Sequence, residues 1–369
     1  MTTSAPDLSV KTTSRDIIQR DIERAIAPQT PKMSYYNFDR IYSYNATWNF
    51  LVGSRGLGKT YGAKLKAINR FLKRGEQFIY MRRYKEELAT SSKTFFDDIA
   101  HNWPDLDFRV NGWLAECAPV DTRDQKKRLW KKMGYFIPLS RAQSMKSVAF
   151  PLVTTIVFDE FILEKGTTHY LPNEAEAFQN FYLTVDRWKD KTKVFFLANA
   201  VDIMNPYFLA YNIIPDQVGE LFTFGPDNFG LCHFVDAKDF ANEAFQTKFG
   251  KFIAETEYAD YAVTSEFKNN GKELIESKTP EARYIYTLET KHGTFSVWSS
   301  WVSSKWYIQS KRPKEENLFT LVPEQMDETK TYITFNDPLL QRLRTAWRQG
   351  HTLFDSPKSR NAFTEVFKR

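Results

Sequence analysis

The 369-residue sequence predicts an α/β protein built on a mostly parallel sheet, followed by a smaller α+β region. Three observations predict it. An apolar run at 48–52 enters the glycine-rich stretch Gly53-Ser54-Arg55-Gly56-Leu57-Gly58-Lys59-Thr60 and leaves through 61–68, which reads as a helix. A β-branched run at 154–157 ends in Asp159 and Glu160, as a buried parallel strand with a functional tip does. Far downstream, 283–290, 294–302 and 305–311 read as three strands joined by tight turns, His292-Gly293 and Ser303-Ser304 among them, with helices following at 338–349 and 359–368.

Taken in order, residues 1–34 are polar, rich in Ser and Thr, and interrupted by Pro6, Pro28 and Pro31. They read as a flexible or partner-ordered extension with one amphipathic stretch at 16–27. Residues 35–238 carry the α/β pattern. Strand, glycine-rich turn and helix opening together form a phosphate cradle. The glycines let backbone N–H groups point inward, and the helix N-terminus adds positive potential. Lys59 is placed to reach the β- and γ-phosphates of ATP, and Thr60 to set its hydroxyl on Mg2+.

A second strand at 78–81 runs into Arg82, Arg83 and Lys85, then a helix from Glu86. Those cations suit either DNA phosphates or a salt-bridged helix start with Glu86 and Glu87. Residues 92–102 look helical, with Phe95, Phe96 and Ile99 on one side. Short strands over 107–137 surround a charged insert at 123–132. There Lys126, Lys127 and Arg128 near Trp130 suit a nucleic-acid backbone or a solvated hairpin tip. A polar loop at 140–147 precedes the 154–157 strand.

Ligands of open α/β sheets bind at the carboxyl ends of the strands. Asp159 is thus placed to hold the metal through water, and Glu160 to orient and deprotonate the attacking water. Two adjacent carboxylates point to the motor and helicase-like ATPases rather than the GTPases. A third strand at 193–199 ends in Asn199, which suits the γ-phosphate, the attacking water, or an ordinary turn before Asn205-Pro206. Residues 239–271 read as a small connector, and 272–369 as the α+β region.

Composition narrows the setting. Net charge is +6 with 42% hydrophobic residues, a mild basic excess that suits a polyanionic partner and enough apolar residues for two cores. Two cysteines, Cys117 and Cys232, and five scattered histidines suggest neither a disulfide framework nor a metal site, and a reduced, intracellular setting. No stretch approaches the roughly 20 apolar residues of a membrane span, so no membrane partner is expected. Aromatic content is 16% and spread along the chain, as core aromatics are.

In combination, GSRGLGKT at 53–60, GEQFIYMRRYKEEL at 75–88, TTIVFDEF at 154–161 and LANAVDIMNPYF at 197–208 resemble the DNA-packaging motor ATPases of phi29-type small short-tailed phages. The likeness covers nearly everything after residue 35 and belongs to the terminase-like branch of the additional-strand P-loop ATPases. It implies a P-loop ATPase core followed by an RNase H-like domain, a vestigial nuclease that binds nucleic acid without cutting it. It also implies a homopentameric ring docked on the prohead at the portal and packaging RNA, in the cytoplasm of the infected bacterium. That ring would hydrolyse ATP, with Mg2+, to drive double-stranded DNA into the capsid.

Carried over by position, Arg187 matches an arginine finger inserted into a neighbour's site, Lys146 a lysine that helps at the active site or interface, and Arg55 the arginine of the phosphate loop. The three C-terminal strands offer essentially Glu289 as a carboxylate, too few for two-metal cleavage. Lys305, Lys311, Arg312, Lys314, Arg342, Arg344 and Arg348 are phosphate-contact candidates or plain surface charge. A helicase, or a nucleotide-gated adaptor without turnover, is the alternative reading.

Overall fold

The computed structural model describes residues 33–120, 128–164, 169–201, 205–213, 218–256, 259, 263, 274–314 and 317–368. Most of the N-terminal extension, the insert tip with Lys126 and Lys127, and the end of the connector lie outside the described residues.

A nine-stranded sheet forms the first layer system. Its strands are β1 (Trp48–Gly53), β2 (Gln77–Met81), β3 (Leu106–Asn111), β4 (Leu114–Pro119), β5 (Lys131–Phe136), β6 (Val153–Asp159), β7 (Lys193–Asn199), β8 (Leu221–Phe224) and β9 (Gly230–Phe234). The order is β3-β4-β5-β2-β6-β7-β1-β9-β8. The six strands from β5 to β9 pair in parallel, and antiparallel β3-β4 and β8 flank them. β7 lies between the strand that precedes the glycine-rich turn and the strand that ends in Asp159. The carboxyl ends of β1, β6 and β7 are in register: Gly53 pairs with Asn199, and Asp159 with Leu197.

Because the strands are buried on both faces, alternate residues feed two cores. Phe50, Met81, Phe158 and Phe196 pack with α4 (Glu174–Asp186) and α5 (Pro206–Tyr211). Leu51, Tyr80, Val157 and Leu197 pack with α1 (Phe38–Ser43), α2 (Lys59–Arg74) and α3 (Lys85–Lys93) on the other face. Much of the aromatic content sits in these cores, as the sequence suggests. The rings of Phe50 and Phe196 stack at 4.2 Å, a contact of about 0.5–1.5 kcal/mol beyond burial.

Helix α2 starts directly at the turn and ends at Gly75, whose φ of 69° lets it close the last turn. Gly62 is required for packing, since a Cβ there would meet Phe38 of α1 at 2.5 Å. The helix expected over 92–102 is absent. Helix α3 ends at Lys93, and turns carry Phe95 and Ile99 into the core before a short 3₁₀ turn at Ala100–Asn102. At the expected connector, α6 (Lys238–Ala244) packs beside the glycine-rich turn through Phe240, and α7 (Lys248–Ile253) packs on the end of α6 through Gly250.

The C-terminal sheet comprises β10 (Arg283–Thr290), β11 (Gly293–Ser300), β12 (Lys305–Gln309), β13 (Leu318–Thr320), β14 (Thr331–Tyr332) and β15 (Thr352–Phe354). Its order is β14-β13-β10-β11-β12-β15. The antiparallel meander β10–β12 agrees with the sequence; β13, β14 and β15 add on in parallel. Helices α8 (Pro338–Arg348) and α9 (Pro357–Lys368) cover one face through Leu340, Leu343, Phe363 and Phe367.

Candidate nucleotide site

The turn between β1 and α2 is shaped by φ rather than by side chains. Gly56 (78°) and Gly58 (80°) are left-handed, and Gly58 caps α2 with no side-chain bond to its first turn. First-turn N–H groups of a helix have no intrahelical acceptor, so an anion satisfies them. Lys59 is buried and donates to the Gly53 carbonyl (3.1 Å), the Ser54 carbonyl (2.6 Å) and Asn199 Oδ1 (3.2 Å). Burial pulls its pKa down to about 8, opposed by Asp159. Three acceptors around one nitrogen suit the ammonium form at neutral pH.

Thr60 donates to both oxygens of Asp159 at 3.1 Å, and Tyr80 donates to Asp159 Oδ2 at 2.7 Å. Burial, then the Asp159 charge, pushes the Tyr80 pKa well up, so Tyr80 stays a donor. Glu160 follows at φ 58°, a left-handed turn that swings its side chain off the strand line toward solvent. Burial raises its pKa; Arg82 opposes that, and Asp159, Glu164 and Glu87 add to it. A raised carboxylate pKa is what a general base needs. Asn199 Nδ2 donates to Glu164 Oε1 (3.2 Å), and Arg55 Nη1 stands 3.8 Å from the same oxygen. Tyr35, Arg55 to Tyr61, Asp159, Glu160, Ala198 and Asn199 line one cavity of about 590 Å³. The cavity thus gathers the expected residues of the phosphate loop and strand tips from Arg55 onward, whereas Gly53 and Ser54 are not in its lining: the Gly53 carbonyl accepts from Lys59, and Ser54 is buried with its Oγ donating to the Val263 carbonyl (2.7 Å).

Other expectations are corrected. Arg82 is ion-paired with Glu160 and lies 3.8 Å from Asp159 Oδ2, which puts it beside the strand-tip acids of the nucleotide site. Arg83 is 1% exposed and forms a bidentate pair with buried Glu174, at 2.7 and 2.9 Å, so it cannot reach a phosphate backbone. It also donates to the Phe161 (2.7 Å) and Glu160 (3.3 Å) carbonyls, holding the turn after β6. Lys85 remains exposed at the first turn of α3. Arg128 pairs with Asp107 and is mostly covered. In the C-terminal region Arg344 is buried and Lys305 pairs with Glu276, whereas Lys311, Arg312, Lys314, Arg342 and Arg348 are exposed.

Arg187 caps α4 at its C-terminus, beside Val148, and Lys146 caps the 3₁₀ segment Leu139–Met145, which packs against α4. Arg187 sits near the start of β6, where the loop after it bonds the Pro151 and Val153 carbonyls, whereas the acids sit at the far end of that strand and Lys146 lies against the middle of α4, beside Ala177 and Asn180. Seven residues of strand separate the two levels by about 20 Å. Neither side chain belongs to its own copy's nucleotide pocket.

The parallel sheet, the inserted β7 and the Lys59–Thr60–Asp159 cluster define a P-loop nucleotide-binding protein of the additional-strand type. A sequence model of the Podovirus DNA encapsidation protein (Gp16) family matches residues 30–369, and the chain belongs to that family. It is a viral DNA-packaging protein. It is 37% identical over 344 residues to the DNA packaging protein of Bacillus phage phi29, covering 92% of this chain and 98% of that one. In structure it resembles a chain of the bacteriophage Phi-29 viral genome packaging motor assembly, with a TM-score of 0.70, 35% identity, and coverage of 91% and 99% of the two chains. A chain of the Phi-28 gp11 DNA packaging motor shares the fold at a TM-score of 0.66 and 17% identity, over 92% and 99% of the chains.

Proposed function

We propose that the chain is a ring-forming ATPase that couples ATP hydrolysis to translocation of double-stranded DNA into a preformed prohead. The observation that carries this is the geometry at the strand tips: a buried lysine, a Thr–Asp pair and the adjacent Glu160 carboxylate in one cavity. The phosphates of ATP lie in the turn of Gly53 to Thr60, against the open N–H groups of α2 and Lys59. Thr60 Oγ1 and the Asp159 carboxylate, already within 3.1 Å of each other, form an all-oxygen donor set that fits Mg2+. When bound, the metal neutralises charge on the β- and γ-phosphates. Glu160 takes the proton of the attacking water once Arg82 releases it. Asn199, bonded to both Lys59 and Glu164, senses loss of the γ-phosphate and passes it to the strand tips.

Arg187, at the far end of β6 from its own pocket, and Lys146, outside that pocket's lining, act in the site of the next copy around a five-membered ring docked on the portal and packaging RNA. There Arg187 offsets charge on the transferring phosphoryl group, a contribution of roughly 10³–10⁵ in rate for arginine fingers. Residues 272–369 are read as a vestigial RNase H-like domain that binds nucleic acid. The order β12-β11-β10-β13-β14, with three antiparallel strands and then two parallel ones, supports that reading. So does Glu289, whose carboxylate pairs with Lys330 at 3.1 Å instead of standing open for a metal. The test is ATP turnover on assembled proheads with and without double-stranded DNA, at two salt concentrations. The proposal expects stimulation by DNA that weakens steeply with salt; equal rates with and without DNA would refute the coupling.

A further inference from the structure

The C-terminal region touches the ATPase domain where α9 packs on α5, and a cleft of about 550 Å³ opens between the two. Its ATPase wall is the first turn of α4, with Glu174 and Glu176, together with Pro206 and Leu209 of α5. Its C-terminal wall is the β10–β11 turn, Lys291 and His292, with Asn361 of α9. The ATPase wall is joined directly to the nucleotide site. Chain leaving the β6 tip at Glu160 next forms α4, and chain leaving the β7 tip at Asn199 next forms α5. Glu174 has a part in both places: it lines the cleft, and through Arg83 it holds the Glu160 and Phe161 carbonyls.

The two walls carry unmet groups that match. Lys291 and Glu176 are exposed, on opposite walls, and neither has an ion-pair partner among the described residues. Asn361 is 5% exposed, yet its Oδ1 has no hydrogen-bond partner. Across the cleft, α4 begins at Asn173 with no side-chain bond to its first turn, so that turn keeps N–H groups free to donate. A buried acceptor left unpaired is a cost that a second arrangement can remove. The β10–β11 turn also has room to move, since a void of about 40 Å³ inside the C-terminal region separates it from Leu321, Phe335 and Val366.

We propose that this cleft closes within a single copy during the nucleotide cycle. Lys291 then pairs with Glu176, and Asn361 Oδ1 accepts an N–H of the first turn of α4. Half-buried Pro206 and Leu209 lose solvent contact at the same time, which favours the closed form. Glu174 and Arg83 pass the seating to the Glu160 backbone, so the position of the C-terminal region is felt at the catalytic acid. Open and closed forms are two states whose balance the nucleotide shifts. The closure stands by itself, whereas its effect on turnover rests on the reading of Glu160 as the base for ATP hydrolysis. Glu174 and Arg83 are positioning residues in this scheme.

The test uses the full chain carrying both Lys291→Cys and Glu176→Cys; the native Cys117 and Cys232 are buried and give little background. A disulfide needs Cβ atoms about 3.5–4.5 Å apart, so mild oxidation traps the closed cleft. A disulfide within one chain is expected, and none, with or without a non-hydrolysable ATP analogue, overturns closure. Its rate of formation should differ by about threefold or more between analogue-bound and nucleotide-free protein; equal rates overturn the link to the nucleotide. The locked chain should turn over ATP about tenfold more slowly than the same chain after reduction, because the cycle needs both states. Equal turnover overturns the route through Glu174. Without cysteines, Lys291→Glu and Glu176→Lys should each cut turnover, and the double swap should restore it to within about twofold of the native chain. A double variant no better than the worse single one overturns the ion pair. If the native chain fails to turn over ATP, the proposed function fails, while the disulfide still reports closure.

Discussion

Removing the carboxylate of Glu174 should destabilise the ATPase domain more than any single change at the pocket surface. Glu174 is buried and accepts from Arg83 Nε (2.7 Å), Arg83 Nη2 (2.9 Å), Tyr207 Oη (2.9 Å) and the Leu171 N–H (2.8 Å). Glu174→Ala leaves a guanidinium with 1% exposure facing a void, and strands two neutral donors with it. Breaking a buried pair from one side costs about 3–5 kcal/mol, against a total stability of about 5–15 kcal/mol. At roughly 2–4 °C per kcal/mol for a domain of this size, the melting temperature should fall by roughly 6–20 °C. Calorimetry or thermal circular dichroism reads this directly. The pairwise charge effect is isolated by Arg83→Met with Glu174→Leu, which should recover much of the loss because no charge stays buried. Because Arg83 also holds the Glu160 and Phe161 carbonyls, Glu174→Ala should lower turnover even at temperatures where the protein is folded. A shift below about 2 °C for Glu174→Ala would refute the claim that this pair fixes the turn after β6.

Two further outcomes follow from the pocket. Arg82 holds Glu160 in an ion pair, so Arg82→Ala should raise DNA-free turnover several-fold and shrink the stimulation by DNA; an unchanged ratio of stimulated to basal rate would show that the pair restrains nothing. Lys59, with its pKa lowered to about 8, is mostly neutral at pH 9 while an unfolded lysine is charged, so its unfavourable contribution to stability fades as pH rises from about 8 to 10.5. Phosphates in the cradle restore the proton, and titration calorimetry at pH 9 in buffers of different ionisation enthalpy should find uptake of close to one proton per bound ATP analogue, where zero uptake contradicts the assignment.

What the sequence made legible is what depends on neighbours in sequence. The phosphate loop, the Asp159–Glu160 tip, Asn199 and the β10–β12 meander are local patterns, and each is found where its residues predict. Arg82 and Arg83 were indistinguishable by sequence, since both follow a strand. Their partners, Glu160 and Glu174, are 78 and 91 residues away, and only the packed sheet assigns one arginine to the nucleotide site and the other to the core. Phe95 and Ile99 have the spacing of one helix face, yet their burial against Tyr80 and α2 is met by turns, so the pattern over 92–102 does not form a helix. Strands β13 to β15 have two or three residues each, too short for any alternation to register. Nothing local marks the end of α4, where an aspartate opposes the helix dipole, yet the Asp186 carboxylate accepts the N–H groups of Lys189, Asp190, Lys191 and Thr192.

The central claim is that ATP is held in the turn of Gly53 to Thr60 opposite the acids at the end of β6. The most direct measurement is the steady-state ATP turnover of Lys59→Ala on assembled proheads, with folding verified by its melting curve. The account predicts a well-folded protein whose turnover falls by a factor of about 100 or more; turnover within about twofold of the unaltered chain would contradict it.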